Sequence, residues 1–226
     1  MEELPKEILY IIVDSCDFLS KIRLSSINIY FHKMVMIDDL MNIPEQIIYN
    51  INDDVLQQSK YNFLKKLNAN NQVTQTGISR FNLTELDAYN NKNINDLSFM
   101  KNLKKLNASG FSWSIHQNVI NGLDLVKLIV CDNEHIRNVS FMKNLKYLNA
   151  GGRHCVLGQK GIRGLDLHYL YAGDNYGIYD VTFMKNLTVL DVGCYTSICG
   201  IDQEGINGLN LKKLHAFGNR SIHNVC

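Results

Sequence analysis

The sequence predicts an α+β chain: a small helical segment at the N-terminus, then a curved solenoid of stacked coils with a parallel sheet on its concave face. Three observations carry this. A phrase recurs at fixed spacing, as "FMKNLKKLNA" (99–108), "FMKNLKYLNA" (141–150) and "FMKNLTVLDV" (183–192), 42 residues apart each time. A second phrase lies between the copies, as "FNLTELDAYNN" (81–91), "LDLVKLIVCDN" (123–133), "LDLHYLYAGDN" (165–175) and "LNLKKLHAFGN" (209–219). Helical apolar spacing without such repeats is confined to the first forty residues. A catalytic motif is needed once, whereas self-similarity at this period marks supersecondary units stacked on one another.

Both phrases share the frame Leu-x-x-Leu-x-small. Its first Leu falls at Leu64, Leu83, Leu103, Leu125, Leu145, Leu167, Leu187 and Leu211, in steps of 19 to 24 residues. The 42-residue unit is therefore a pair of coils. Alternation along a short strand puts Leu103, Leu106 and Ala108 on one face and Lys105 and Asn107 on the other. One such strand cannot bury its apolar face alone, but a parallel stack turns the leucines into continuous columns. In the second phrase an Asn ends the frame, at Asn91, Asn133, Asn175 and Asn219, and its amide can both donate and accept at the turn. Gln72, Phe111, Arg153 and Tyr195 stand there in the alternate coils, so an Asn ladder is expected to skip every second coil. Ile94, Ile136, Ile178 and Ile222 follow three residues on as further core. The Phe and Met of "FMKNL" are expected to fill the convex side from within, where coils this short leave room for extended or 3₁₀ segments. The frame resembles the leucine-rich repeat, over about residues 48–226.

The opening differs in kind. Pro5 suits a first helical turn. Ile8, Leu9, Ile12 and Cys16 form one stripe at helical spacing, and Ile22, Leu24, Ile27 and Phe31 a second. Residues 4–12, "LPKEILYII", resemble the start of an F-box through Leu4, Pro5, Glu7, Ile8, Leu9 and Ile12. The stretch "DFLSKIRLSSINIYF" resembles its second half, with Phe18 and Lys21 departing from the Pro and Leu usual there. The layout is that of F-box/leucine-rich-repeat proteins, and the Asn- and Ile-rich repeats look most like those of giant DNA viruses and amoebae. The domains on this reading are an F-box at 1–40, a linker with a degenerate capping coil at 41–63, and leucine-rich repeats at 64–226, about eight coils with the last incomplete. The resemblance implies a non-catalytic substrate-recognition adaptor of an SCF-type (Skp1–cullin–F-box) ubiquitin ligase. Leu4, Pro5, Ile8, Leu9 and Ile12 would face a Skp1-like protein, which brings the cullin, and the repeats would hold a protein substrate. The alternative is a leucine-rich-repeat scaffold without a ubiquitin-ligase role, its N-terminal helices serving only to cap the stack.

Composition excludes other classes. The 226 residues are 46% hydrophobic and 20% charged with net charge +1, which gives no bulk attraction to nucleic acid or membrane. No run is long and apolar enough to span a bilayer, and the acidic, amphipathic start lacks the basic region of a secretory leader. The six cysteines follow no disulfide framework and are expected as reduced thiols, in keeping with a cytoplasmic or nuclear setting, the host cytoplasm if the source is viral. His154–Cys155 and the Cys194/Cys199 pair invite nucleophile or zinc readings. Neither has the partner spacing that such chemistry needs, so no catalytic residue, metal or cofactor is expected. The x positions of the frame project from the sheet. There Lys127, Lys146, Tyr147, His168, Tyr169 and Tyr171 form a mixed basic and aromatic patch, the expected substrate site. Trp113, in the loop "GFSWSIHQ", is a candidate anchor at its rim.

Overall fold

The computed structural model describes residues 6–27, 29–111, 115–195 and 199–223. Leu4, Pro5 and Trp113, named above, lie outside them. Three helices open the described chain: α1 (Lys6–Ser15), α2 (Phe18–Ile27) and α3 (Ile29–Met34). Asp17 starts α2, its Oδ1 accepting the Ser20 N–H at 2.9 Å as an N-cap does. Those Ser20 hydrogen bonds hold the Asp17 carboxyl below its ordinary pKa.

Nine strands then form one sheet in strict chain order, every neighbouring pair parallel. They are β1 (Asp39–Leu40), β2 (Lys66–Asn68), β3 (Glu85–Asp87), β4 (Lys105–Asn107), β5 (Lys127–Ile129), β6 (Tyr147–Asn149), β7 (Tyr169–Tyr171), β8 (Val189–Asp191) and β9 (Lys213–His215). The chain is a parallel repeat solenoid. Register is constant, so Leu67, Leu86, Leu106, Leu128, Leu148, Leu170 and Leu190 stack as one buried column. The sheet begins one coil before the first repeat read from the sequence. Its β1 lies inside the segment assigned to the N-terminal domain, and short helices at Glu45–Ile48 and Asp53–Leu56 complete that coil.

The side opposite the sheet corrects two expectations. Alternate coils carry a single α-turn, at Gln75–Ile78, Gln117–Ile120 and Gln159–Ile162, with 3₁₀ geometry at Ser59–Tyr61 and Glu204–Ile206. In the other coils "FMKNL" makes turns. Of its Phe–Met pair only the Met is fully buried: Met100, Met142 and Met184 lie in the core, whereas Phe99 and Phe183 are half-buried and Phe141 is exposed. The unbranched thioether reaches inward where the ring would not fit.

Two side-chain ladders tie the coils together. Asn133 Nδ2 donates to the Ala108 and Ile115 carbonyls (2.8 and 3.1 Å), while its Oδ1 accepts from the N–H groups of His135 and Ile136 (both 2.9 Å). Asn91, Asn175 and Asn219 donate in the same way to carbonyls of the preceding coil. These are the alternate coils in which the sequence places the Asn. The second ladder was not anticipated. Gln159 Oε1 accepts from the Tyr179 and Asp180 N–H groups (both 3.0 Å) and its Nε2 donates to the Asp180 carbonyl (2.7 Å). Gln75 and Gln117 repeat the bridge. Beside the Asn ladder, Asn90, Asp132 and Asp174 take left-handed backbone angles (φ 52 to 55°), a region that Asn and Asp tolerate better than other side chains.

Contrary to the expectation of six thiols, Cys194 and Cys199 form a disulfide. Their Cα atoms are 6.1 Å apart, within the span that such a bond requires. No helix among the described residues is long and apolar enough to cross a membrane.

Candidate functional site

The sheet presents two outward side chains per strand, at its first and third residues. The structure brings together three of the six residues expected to form the substrate patch. Tyr147 of β6 and Tyr169 of β7 are register partners, and their rings stack with centroids 4.3 Å apart and planes 5° from parallel. Lys127 of β5 is the partner of Tyr147 on the other side and sets its Nζ over that ring, 4.6 Å from the centroid. Strand spacing dictates the arrangement, because partner side chains on one face of a sheet stand within ring-contact distance. Burial, and then the neighbouring Tyr169, push the Tyr147 phenol up to about 12. Tyr171 lies further along β7, its ring resting where a Cβ on Gly151 would have to sit. A side chain at residue 151 would lift it. Lys146 and His168 precede their strands and stand outside the ring cluster: the Lys146 ammonium reaches the Asp166 carbonyl at 3.4 Å, and His168 is exposed. Ile129 of β5, half-buried, adds an apolar flank.

Two lysines of the face outside the expected patch are paired with carboxylates. Lys66 pairs with Asp39 (2.8 Å) and Lys105 with Glu85 (3.0 Å), across neighbouring strands. Several polar residues ending the strands are also already engaged. Asp87, Asn107, Asn149 and Asp191 each accept, through Oδ1, the N–H two residues on, as Asx-turns do. The stacked tyrosines with Lys127 are the aromatic cluster that this face offers a partner. At the rim, Phe111 and His154 meet edge to face at 5.1 Å, and Tyr195 is exposed.

The first helix offers a second surface. Of the residues expected to face a Skp1-like protein, Ile8 and Ile12 are exposed and Leu9 is half-buried. Ile11, absent from the expected set, is the most exposed of all at 64%, with Tyr10 beside it. Only Val13 turns fully inward. The signal was in the run "YII" at 10–12: a helix with apolar residues at three consecutive positions cannot hide them all on one narrow stripe. Leu19 and Ile27 of α2 are exposed as well.

Neither cysteine beside these surfaces is arranged for nucleophilic work. Cys155 is buried, which pushes its thiol up to about 12, and Cys131, half-buried, is pushed up to about 11. A thiol so shifted carries almost no thiolate at neutral pH. The His154 ring instead faces Glu134, Nδ1 to Oε1 at 3.3 Å. Among the described residues no group of three or more His, Cys, Asp or Glu is placed to hold a metal ion. No family model matches the chain, and a search of curated proteins finds no significant match.

Proposed function

We propose that the chain is a non-catalytic substrate-recognition adaptor of an SCF-type ubiquitin ligase, an F-box followed by leucine-rich repeats. On this reading α1 docks a Skp1-like protein, which brings the cullin, and the sheet face holds a protein substrate in the cytoplasm or nucleus. The observation that carries the proposal is the apolar surface of α1. Ile8, Ile11 and Ile12 are 42%, 64% and 46% exposed, ahead of a solenoid whose own aliphatic column is buried. Exposed apolar surface of this kind marks an interaction site, and Ile8 and Ile12, though not Ile11, are residues of the F-box resemblance. The Lys127–Tyr147–Tyr169 cluster supports the second half of the proposal, since rigid rings lose little entropy when they bury area against a partner.

A scaffold without a ligase role is the second reading, and one observation favours it. Val13 and Val35 belong to the same buried cluster as Leu40, Leu56 and Leu67 of the solenoid, with Phe18, Ile22 and Phe31 packed against it. The helices thus close the open end of the stack, a role every solenoid needs filled. A pull-down from eukaryotic cytosol, probed for Skp1 and cullin, separates the two. Recovery of both, abolished by Ile8→Asp in a chain that stays folded, supports the adaptor. Recovery of neither leaves the scaffold.

A further inference from the structure

A cleft lies at the other end of the sheet face from the tyrosine cluster. The last residues of β2 and β3, the loops that follow them and the helix Glu45–Ile48 enclose a cleft of about 590 Å³. That is the scale of small-ligand sites, roughly 300–1,000 Å³. Two exposed rings stand at it, Tyr49 and Tyr89, each 59% exposed. Tyr49 is held by its hydroxyl, which donates to Glu45 Oε1 at 3.1 Å.

The polar lining divides into used and unused groups. Asn70 is structural, donating from Nδ2 to the Ile48 and Ile51 carbonyls at 2.5 and 2.9 Å. Asn107 donates to Asp87 at 3.1 Å. The side-chain amides of Asn68, Asn71 and Gln72, in contrast, have no hydrogen-bond partner among the described residues, and all three line the cleft. No Lys or Arg lines it, and Ile48 is its one aliphatic residue.

Those facts narrow the ligand by chemistry. An anion would find no cation and two carboxylates, Glu45 and Asp87. An apolar molecule could pack on the Tyr49 and Tyr89 rings and Ile48 but would leave the three amides it covers without partners. A neutral polyhydroxylated molecule meets neither objection. Each of its hydroxyls donates and accepts, and each unused amide offers a carbonyl oxygen and an NH₂ to match. A pyranose ring also has a C–H face that packs on an aromatic ring, whose own face carries partial negative charge. We infer that the cleft between Tyr49, Tyr89 and the Asn68–Asn71–Gln72 amides binds a neutral oligosaccharide. The site is separate from both surfaces of the proposed adaptor and does not depend on that role.

The test uses the whole chain on an array of immobilised neutral and sialylated oligosaccharides, followed by calorimetric titration with the strongest neutral binder. The expected result is saturable binding to neutral members. Tyr89→Ala should weaken it about tenfold and Asn71→Ala several-fold, with Tyr147→Ala and Ile8→Asp matching the parent. Tyr89 and Asn71 are both exposed, so neither change should unfold the chain, and an unaltered urea midpoint verifies this. A silent array, binding confined to sialylated members, or full binding by both cleft variants would overturn the inference.

Discussion

Leu148, in the middle of the sheet, and Ile11, in the first helix, are aliphatic side chains of equal size in opposite circumstances. Leu148 is 0% exposed, flanked in register by Leu128 and Leu170, whereas Ile11 is 64% exposed. The contrast extends to polar groups. In the solenoid, polar side chains are structural: the Asn and Gln ladders bond from coil to coil, and Asn133 and Asn175 are buried. In the N-terminal helices the polar bonds found are local caps and turns of the helix backbone, such as Ser15 to Ile12 and Ser25 to Ile22, and several apolar groups, Ile8, Ile11 and Ile12 among them, are exposed. One region is complete in itself. The other leaves Ile8, Ile11 and Ile12 of α1 exposed while Val13 and Val35, with Phe18, Ile22, Leu24 and Phe31, pack into the solenoid's cluster.

Breaking the complete region should be costly. Leu148→Ala empties a position with no exposed side and should destabilise the chain by about 3 kcal/mol, read from the urea midpoint at unchanged slope. Asn133→Ala should approach that figure at about 2–3 kcal/mol, because it strands two carbonyls and two N–H groups, the Ile115 and Ile136 groups among them, in buried surroundings. Ile11→Ser, by contrast, should shift stability by no more than about 0.5 kcal/mol, as surface changes do. A loss comparable with that of Leu148→Ala would mean that α1 is core, and the distinction between the regions would fail.

Smaller effects sharpen what each surface is for. Tyr147→Ala or Tyr169→Ala should each cost more than about 1 kcal/mol of affinity for a captured substrate. Lys105→Ala, at a residue already paired with Glu85, should cost less and act chiefly through the association rate, an effect that fades with salt. Equal binding by all three variants, measured by surface plasmon resonance, would move recognition to the rim around Phe111 and Tyr195. The smallest effect concerns pH. Burial and Tyr169 raise the Tyr147 phenol to about 12, so the folded chain keeps a proton that the unfolded chain, titrating at about 10, gives up. Between those values stability should fall as pH rises. The fall should be shallower in Tyr147→Phe, and parallel curves for the two proteins would contradict the stacked geometry.

What the sequence made legible follows from what repetition can encode. The first Leu of every frame, from Leu64 to Leu187, is buried, and the strands from β2 to β9 begin two residues after it, because a period repeated many times leaves one register. The Asn ladder and its skipped coils could be read for the same reason. The strand β1 could not: Leu40 stands in register with Leu67, the second Leu of its frame, but Ile37 takes the place of the first, and only its neighbour in space makes it a strand. Gln75, Gln117 and Gln159 recur 42 residues apart and were a signal left unread, since Gln has no strong turn preference of its own. At the candidate sites, the tyrosine stack followed from register alone. The pairing of Lys66 with Asp39 and Lys105 with Glu85, outside the expected patch, depends on side-chain reach between strands. The Cys194–Cys199 bond likewise depends on the separation of two Cα atoms in space, which spacing in the chain does not state.

The central claim is that α1 is a docking surface completed by a Skp1-like protein. Amide hydrogen exchange of the whole chain, alone and with purified Skp1, reads this directly. The account predicts fast exchange over residues 6–15 in the chain alone, strong protection of that helix on adding Skp1, no change in β2–β8, and loss of the effect in Ile8→Asp. Exchange in α1 that is as slow as in the strands before Skp1 is added, or that is unaltered after it, would contradict the claim.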